Sequence, residues 1–518
     1  MKKFIKKIKS NKFLYILSVL IIGVFIILIT RVTYAFLAPI INEAQTNVAI
    51  KGDTIDEYSL KVGNPLKINA TPTTLKENGT NYTTSTTATA SLKANSTKNT
   101  ATYGYYLYFQ IENNTFTYTS GTTPEIILTI TNPNGEEITS IEGLTYGTFN
   151  GVSGFDVTTK NGLFNIANNY QITSNSSTTA TIHEWTITLT YLNQSYDQSG
   201  NFGKSMEVGV LLQKEKVKPL LADYVKSLYT GTQGENSIYY HTSTLTNGAG
   251  DNSYRYAGAN PNNYVCFGAS ASTCPTDNLY RIIGVFGDQV KLIKYDYANS
   301  NLLGTDGDYS PDTYSKSSNS KYKGELTTIN RYYWNYKNNT SINGGRGSNE
   351  WSTSLFNKKN LNTNYLNNIG TTWSNLIEDT TWKVSGHTTS AVTPKAMYTA
   401  EITNASKTYG PSNGVSKIGL MYASDYGFAA ASSAWTSNMS DYYRSTITFV
   451  NWMYMGLYDW TMTPYSMDST YVFHASDYGD LNNNYAVNGF GARPVLYLKA
   501  SVTYISGSGS ASDPILIN

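Results

Sequence analysis

The chain has 518 residues, a formal charge of +2 and only 14% charged side chains, against 44 tyrosines and an abundance of Asn, Thr, Ser and Gly. Its positive charge is concentrated at the N-terminus, so the remainder is near neutral and lacks the basic face that nucleic-acid binding needs. Solubility rests on amides and hydroxyls, which suit strands and turns, and the length predicts two or three domains.

Lys2, Lys3, Lys6, Lys7, Lys9 and Lys12 precede an 18-residue apolar run at 13–30, and no acidic residue occurs before Glu43. At 1.5 Å per residue the run makes about 27 Å of helix, close to the ~30 Å bilayer core. The expectation is a cytoplasmic basic segment at 1–12, a single transmembrane helix at 13–30 and a juxtamembrane segment at 31–43. Everything beyond is then extracellular, on a single-pass protein of the cell membrane. Thr33-Tyr34-Ala35 offers a second reading, a signal cut after Ala35 and a secreted product.

Residues 44–216 read as strands at 87–93, 103–111, 125–131, 184–191 and 204–213. In the fourth, Trp185, Ile187 and Leu189 alternate with Thr186, Thr188 and Thr190, the period of a half-buried strand. Asn132-Pro133-Asn134-Gly135 is a turn signal. The pattern predicts an antiparallel, immunoglobulin-like β-sandwich serving as a stalk or assembly module. The start Arg31–Phe36 and the Thr-rich domain containing Ala101–Phe109 resemble exported β-sandwich proteins of Gram-positive bacteria, the biofilm-matrix and camelysin group, over 13–214. That resemblance implies self-association through the sandwich. Some members of the group have been classed as metalloproteases, but after His183-Glu184 a zinc motif needs His where Ile187 stands.

The charged run 214–219 marks a joint, and Leu221, Tyr224, Val225 and Leu228 give helical spacing within a linker at 217–231. The distal domain is expected at 232–518. Cys266 and Cys274 close a short flexible loop in an oxidising compartment; a metal pair or redox thiols are the alternatives, with no His nearby and no Cys-x-x-Cys spacing. A hairpin is expected at 278–294 across Gly287-Asp288, and a helix begins at 359–366. Seven of the eight tryptophans lie here, most of them expected in the core and one or two in exposed loops. Short strands, few helices and long loops predict an irregular α+β fold in which loops carry function.

The ending is the most diagnostic distal feature. Tyr458–Pro464, a loop, and Gly489–Leu498 with its Gly491-Ala492-Arg493-Pro494 core resemble the closing motif of bacterial C-type-lectin-like domains of the sulfatase-modifying-factor and variable-receptor type. The sequence departs from that family in having Thr461-Met462-Thr463 where an Arg before Ser-Pro is usual. The resemblance implies framework roles for Trp460, Gly491, Arg493 and Pro494. It makes 465–488 the ligand face; within it Tyr465, Tyr471, Tyr478 and Tyr485 are expected to stack on the apolar faces of sugar rings, with Asp477 and Asn483 as polar contacts. Ala-Ser-Asp-Tyr-Gly occurs twice, at 423–427 and 475–479; Asp425, Asp477, Asp480 and Asn482–Asn484 are oxygen ligands for a Ca²⁺ reading, set against plain turn geometry. His183, His241, His387 and His474 are scattered, and no nucleophile elbow or phosphate loop occurs. The oxidase chemistry of the sulfatase-modifying enzymes uses late cysteines, and both cysteines here come early. The expectation is a non-enzymatic, cofactor-free surface protein with a binding head for extracellular glycan or protein; the alternative is a structural matrix or fibre subunit.

Overall fold

The computed structural model describes residues 55–75, 78–270, 273–319, 321–403 and 414–518. The chain is mostly β, in several antiparallel sheets joined by short helices. Among the described residues no helix is long and apolar enough to cross a membrane. The longest helical stretch joins Phe356–Tyr365 to Leu366–Ile369, about 20 Å and rich in Asn, against a ~30 Å bilayer core. The expected fold class, headed by one transmembrane helix, and the single-pass membrane placement are corrected on that finding. The run 13–30 itself lies outside the described residues, as does the cleavage point at Ala35. The chain divides after Val217 into two compact units.

The first unit contains β1 (Glu57–Val62), β2 (Leu66–Asn69), β3 (Tyr82–Lys93), β4 (Ala101–Glu112), β5 (Ile126–Thr131), β6 (Thr145–Phe149), β7 (Val152–Asp156), β8 (Gly162–Ser174), β9 (Thr181–Tyr191) and β10 (Ser205–Gln213). They form two sheets, β1-β3-β9-β5-β7-β6 and β2-β10-β4-β8, a β-sandwich. Alternation places Ala88, Ala90 and Leu92 of β3 and Trp185, Ile187 and Leu189 of β9 in one core with Leu107, Phe109 and Ile111 of β4 and Met206 and Val208 of β10. The expected strands correspond to β3, β4, β5, β9 and β10; β1, β2 and β6–β8 were not anticipated. Asn132 shapes the turn after β5, its side-chain oxygen accepting from the backbone N–H groups of Asn134 and Glu136. Glu125, fully buried, accepts hydrogen bonds from the Thr119 N–H and hydroxyl, the Tyr191 hydroxyl and the Gln198 and Asn201 amides. Those bonds hold the loops at one end of the sandwich.

The second unit opens with α1 (Leu221–Ser227), whose Leu221, Ala222 and Val225 enter that unit's core. The strands that follow are β11 (Ile238–Tyr240), β12 (Tyr254–Tyr256), β13 (Tyr264–Cys266), β14 (Leu279–Phe286), β15 (Gln289–Lys294), β16 (Tyr309–Ser315), β17 (Thr328–Tyr333), β18 (Thr380–Trp382), β19 (Gly414–Ser416) and β20 (Ile418–Gly419). After α2 (Ala423–Phe428) come β21 (Asp459–Pro464), β22 (Tyr471–Ala475), β23 (Leu481–Tyr485), β24 (Gly489–Phe490), β25 (Val495–Tyr497), β26 (Tyr504–Ser506) and β27 (Ile515–Ile517). The main sheet runs β20-β25-β15-β14-β13-β27-β26, with β12 and β11 attached to β14. The remaining strands form small sheets β16-β17-β24, β18-β19 and β21-β22-β23. Cys266 and Cys274 form a disulfide.

All seven distal tryptophans are buried, which corrects the expectation of exposed ones. Five of the seven donate the indole N–H to a backbone carbonyl, most of them in strands: Trp334 to Thr461, Trp382 to Ser416, Trp435 to Ala430, Trp452 to Tyr256 and Trp460 to Tyr332.

Candidate functional site

Residues 465–488 form no open loop. Most of them build the β22–β23 hairpin, which pairs with β21, so the expected ligand face is laid along two strands. Tyr471 faces Tyr485 at the open end of the hairpin, and Asp477 and Tyr478 sit in the turn at the other end. Strands of this length separate the two ends by roughly 14 Å. Asn483 lies mid-strand, opposite Phe473. The six contact residues named from sequence therefore fall into separate groups.

At the open end, three rings and a cation make a ladder. The Arg346 guanidinium carbon lies 4.9 Å from the Tyr485 ring centre, Tyr485 and Tyr471 rings are 4.3 Å apart, and Tyr465 lies 6.1 Å from Tyr471. The three tyrosines are half-buried, Arg346 is exposed, and Met467 on the same loop is 58% exposed. A hydrogen bond with the Tyr485 hydroxyl, aided by burial, pushes the Tyr471 hydroxyl up to about 12. The Tyr471 phenol therefore stays a neutral donor and acceptor at physiological pH.

Buried neighbours fix the ladder. Asn349 is fully buried, and its amide donates to the carbonyls of Tyr465, Asp468 and Tyr471 at 3.1, 2.9 and 3.1 Å. The Arg346 carbonyl accepts from the Val487 N–H at 3.2 Å. Gly347 has φ +79°, and a Cβ there would meet the Asn335 carbonyl at 2.6 Å, so only glycine lets this loop lie so close. Sequence reasoning missed Arg346 and Asn349. The signal available was Gly344-Gly345-Arg346-Gly347, an arginine carried on a glycine-rich turn.

The closing-motif residues lie beneath. Trp460 packs 4.4 Å from the Phe490 ring, and the Gly491 N–H donates to the Tyr458 carbonyl at 3.0 Å. A Cβ at Gly491 would stand 2.5 Å from the Tyr297 ring. Arg493 donates to Asp459 at 2.6 Å and to the Met453 carbonyl at 2.8 Å; the Pro494 carbonyl accepts from Lys294 N–H on β15 at 3.0 Å. Burial pushes Asp459 up to about 6, with the Arg493 charge pulling the other way.

Asp425 does not join Asp477 and Asp480 as an oxygen ligand. Its carboxylate receives Lys291 at 2.5 Å, Arg255 at 3.3 Å and the Tyr422 N–H at 2.9 Å. Asp480 accepts from the Ser476 hydroxyl. Among the described residues no group of three or more His, Cys, Asp or Glu is placed to hold a metal ion. His474 lies buried among Tyr458, Trp460 and Phe490, with neither ring nitrogen hydrogen-bonded among the described residues, and burial lowers it to about 4. His183 meets the Tyr105 hydroxyl at 3.0 Å in the sandwich, and His241 accepts from the Ala249 N–H at 2.9 Å. No family model matches this chain, and no curated protein matches it.

Proposed function

We propose that this is a binding protein whose second unit presents the Arg346–Tyr485–Tyr471–Tyr465 ladder to a glycan, with the β-sandwich as its supporting module. The observation that carries the reading is the ladder itself: half-exposed aromatic rings held in place by Asn349, with an exposed cation at one end. The apolar C–H face of a sugar packs on such rings, while hydroxyls or a sugar carboxylate meet the phenols and Arg346. The C-type-lectin-like closing motif supports the same reading. The test is a glycan array probed with the full chain and with the Tyr471→Ala/Tyr485→Ala variant. The expected result is a hit that the variant loses by about tenfold or more in affinity. Silence across the array, or equal binding by the variant, overturns it.

One observation favours a second reading, a structural subunit. β8 is the outermost strand of its sheet and has 13 residues, none of them Lys, Pro, Asp or Glu, the residues that usually block edge-to-edge pairing. A second copy adding a strand there would extend the sheet. Sedimentation of the full chain across concentration tests it: assembly that Leu163→Lys abolishes favours the reading, and a monomer at all concentrations removes it.

A further inference from the structure

The far end of the same hairpin carries a cluster that the ladder does not use. Tyr478, in the turn after β22, has the Arg444 guanidinium carbon 4.0 Å from its ring centre, the Tyr443 ring at 4.9 Å and the Lys321 ammonium at 5.5 Å. The Arg444 N–H donates to the Tyr478 carbonyl at 2.9 Å, and the Thr448 hydroxyl reaches the same carbonyl at 3.3 Å, so the 443–448 loop is fastened to the turn.

Two features set this tip apart from ordinary surface. Arg444 has φ +47°; the other non-glycine residues described with positive φ are all Asn, apart from Ser237. An arginine there sets its Cβ against the following carbonyl, a conformation that persists only where the surroundings enforce it. The second feature is exposure. Tyr443 is 48% and Phe449 59% exposed, and Arg444 and Lys321 are exposed without an ion pair among the described residues. Asp441 and Asp477 flank the tip without a salt bridge to either cation, although the Lys321 charge acts on Asp477 across the turn.

We propose that the tip formed by Tyr443, Arg444, Tyr478 and Lys321 is a second docking surface, for an acidic peptide segment of a partner protein that also carries aromatic or apolar side chains. Charge complementarity selects the occupant: carboxylates meet Arg444 and Lys321, and an apolar side chain covers the adjacent Tyr443 and Tyr478 rings. A bare polyanion leaves both rings wet, and an uncharged apolar segment leaves both cations unpaired. The surface lies about 14 Å along the hairpin from the ladder, so it goes beyond the glycan reading and does not depend on it.

Fluorescence anisotropy with the full chain tests this, using a labelled Glu-Phe-Glu-Gly repeat peptide, a Lys-Phe-Lys-Gly counterpart and polyphosphate. The Glu/Phe peptide binds, and the Lys321→Gln/Arg444→Gly variant weakens it by about tenfold or more. Glycine suits the left-handed backbone at 444, so this variant keeps its fold, which an unchanged near-UV circular dichroism spectrum confirms. Tyr471→Ala/Tyr485→Ala leaves peptide binding unchanged, which separates this site from the ladder. Three results each overturn the proposal: equal binding of the Lys/Phe peptide, no effect of the double variant on peptide binding, or polyphosphate binding through the same two residues while the Glu/Phe peptide does not bind.

Discussion

The hydroxyl of Tyr426 donates a 2.7 Å hydrogen bond to the carbonyl of Gly479, so the two copies of Ala-Ser-Asp-Tyr-Gly touch each other. The first copy is helical, in α2; the second ends β22 and forms the hairpin turn. Identical residues adopt different backbones because their partners differ. Asp425 caps its own helix and holds Lys291 and Arg255, whereas Ser476 in the second copy bonds Asp480 to tighten a turn. Tertiary contacts override local preference here. Both copies also fix the hairpin that carries the two candidate surfaces.

Asn349 links burial to ligand binding. Replacing it by Ala removes three hydrogen bonds to the Tyr465–Tyr471 loop, while the Asp468 and Tyr471 carbonyls keep one backbone donor each. Glycan affinity is expected to fall at least as far as in Tyr465→Ala, with a stability loss of about 2 kcal/mol. Calorimetric titration beside denaturant unfolding checks both. Full affinity in Asn349→Ala would show that the ladder needs no such support.

Glu125 is surrounded entirely by donors, from Thr119, Tyr191, Gln198 and Asn201. Glu125→Gln turns one acceptor into an NH₂ group facing those donors. The expected cost is about 2–3 kcal/mol to the first unit, measured by urea unfolding, with ligand binding by the second unit unchanged.

Two buried groups give opposite pH dependences. Burial pushes Glu401 from its ordinary 4.5 up to about 7, so its contribution is complete below 4.5 and lost as pH rises through about 7. Glu401→Gln should therefore stabilise the protein at pH 8, on the order of 3 kcal/mol, and make little difference at pH 4. Burial lowers His474 from 6.5 to about 4, so its contribution is complete above 6.5 and lost as pH falls through about 4. His474→Phe fits the ring cluster and gives up no hydrogen bond, so its advantage should appear only below pH 6.5. Unfolding midpoints from pH 4 to 8 decide both signs.

The Cys266–Cys274 bond closes a short loop, which limits the chain entropy it removes. Cys266→Ala/Cys274→Ala is expected to lower stability by about 2–3 kcal/mol in thermal unfolding and leave the ladder's affinity intact. A collapse of binding would place the loop in a direct supporting role.

Strands were legible where one face is dry. Trp185, Ile187 and Leu189 announce β9 because their threonine neighbours face the other way. β8 gave no such signal: as an edge strand it is wet along most of its length, and its residues carry no clean period. The β14–β15 hairpin was legible from Gly287, whose φ is +65°. The candidate site was legible only in part. Tyr465, Tyr471 and Tyr485 were named, but their separation from Tyr478 follows from hairpin register, and Arg346 and Arg444 arrive from remote loops. The tryptophans misled because composition cannot show that backbone carbonyls remote in sequence, such as Tyr332 for Trp460, accept their indole N–H groups.

The pairing of β13 with β27 has a consequence for biosynthesis. Val265 and Cys266 align in parallel with Ile515 and Leu516, and β27 lies inside the main sheet, between β13 and β26. A ribosome delivers residues 515–517 only after every other strand of that sheet. The second unit therefore has a gap in its main sheet until translation has passed β27, whereas the sandwich's described strands, β1 to β10, are complete once residue 213 has emerged.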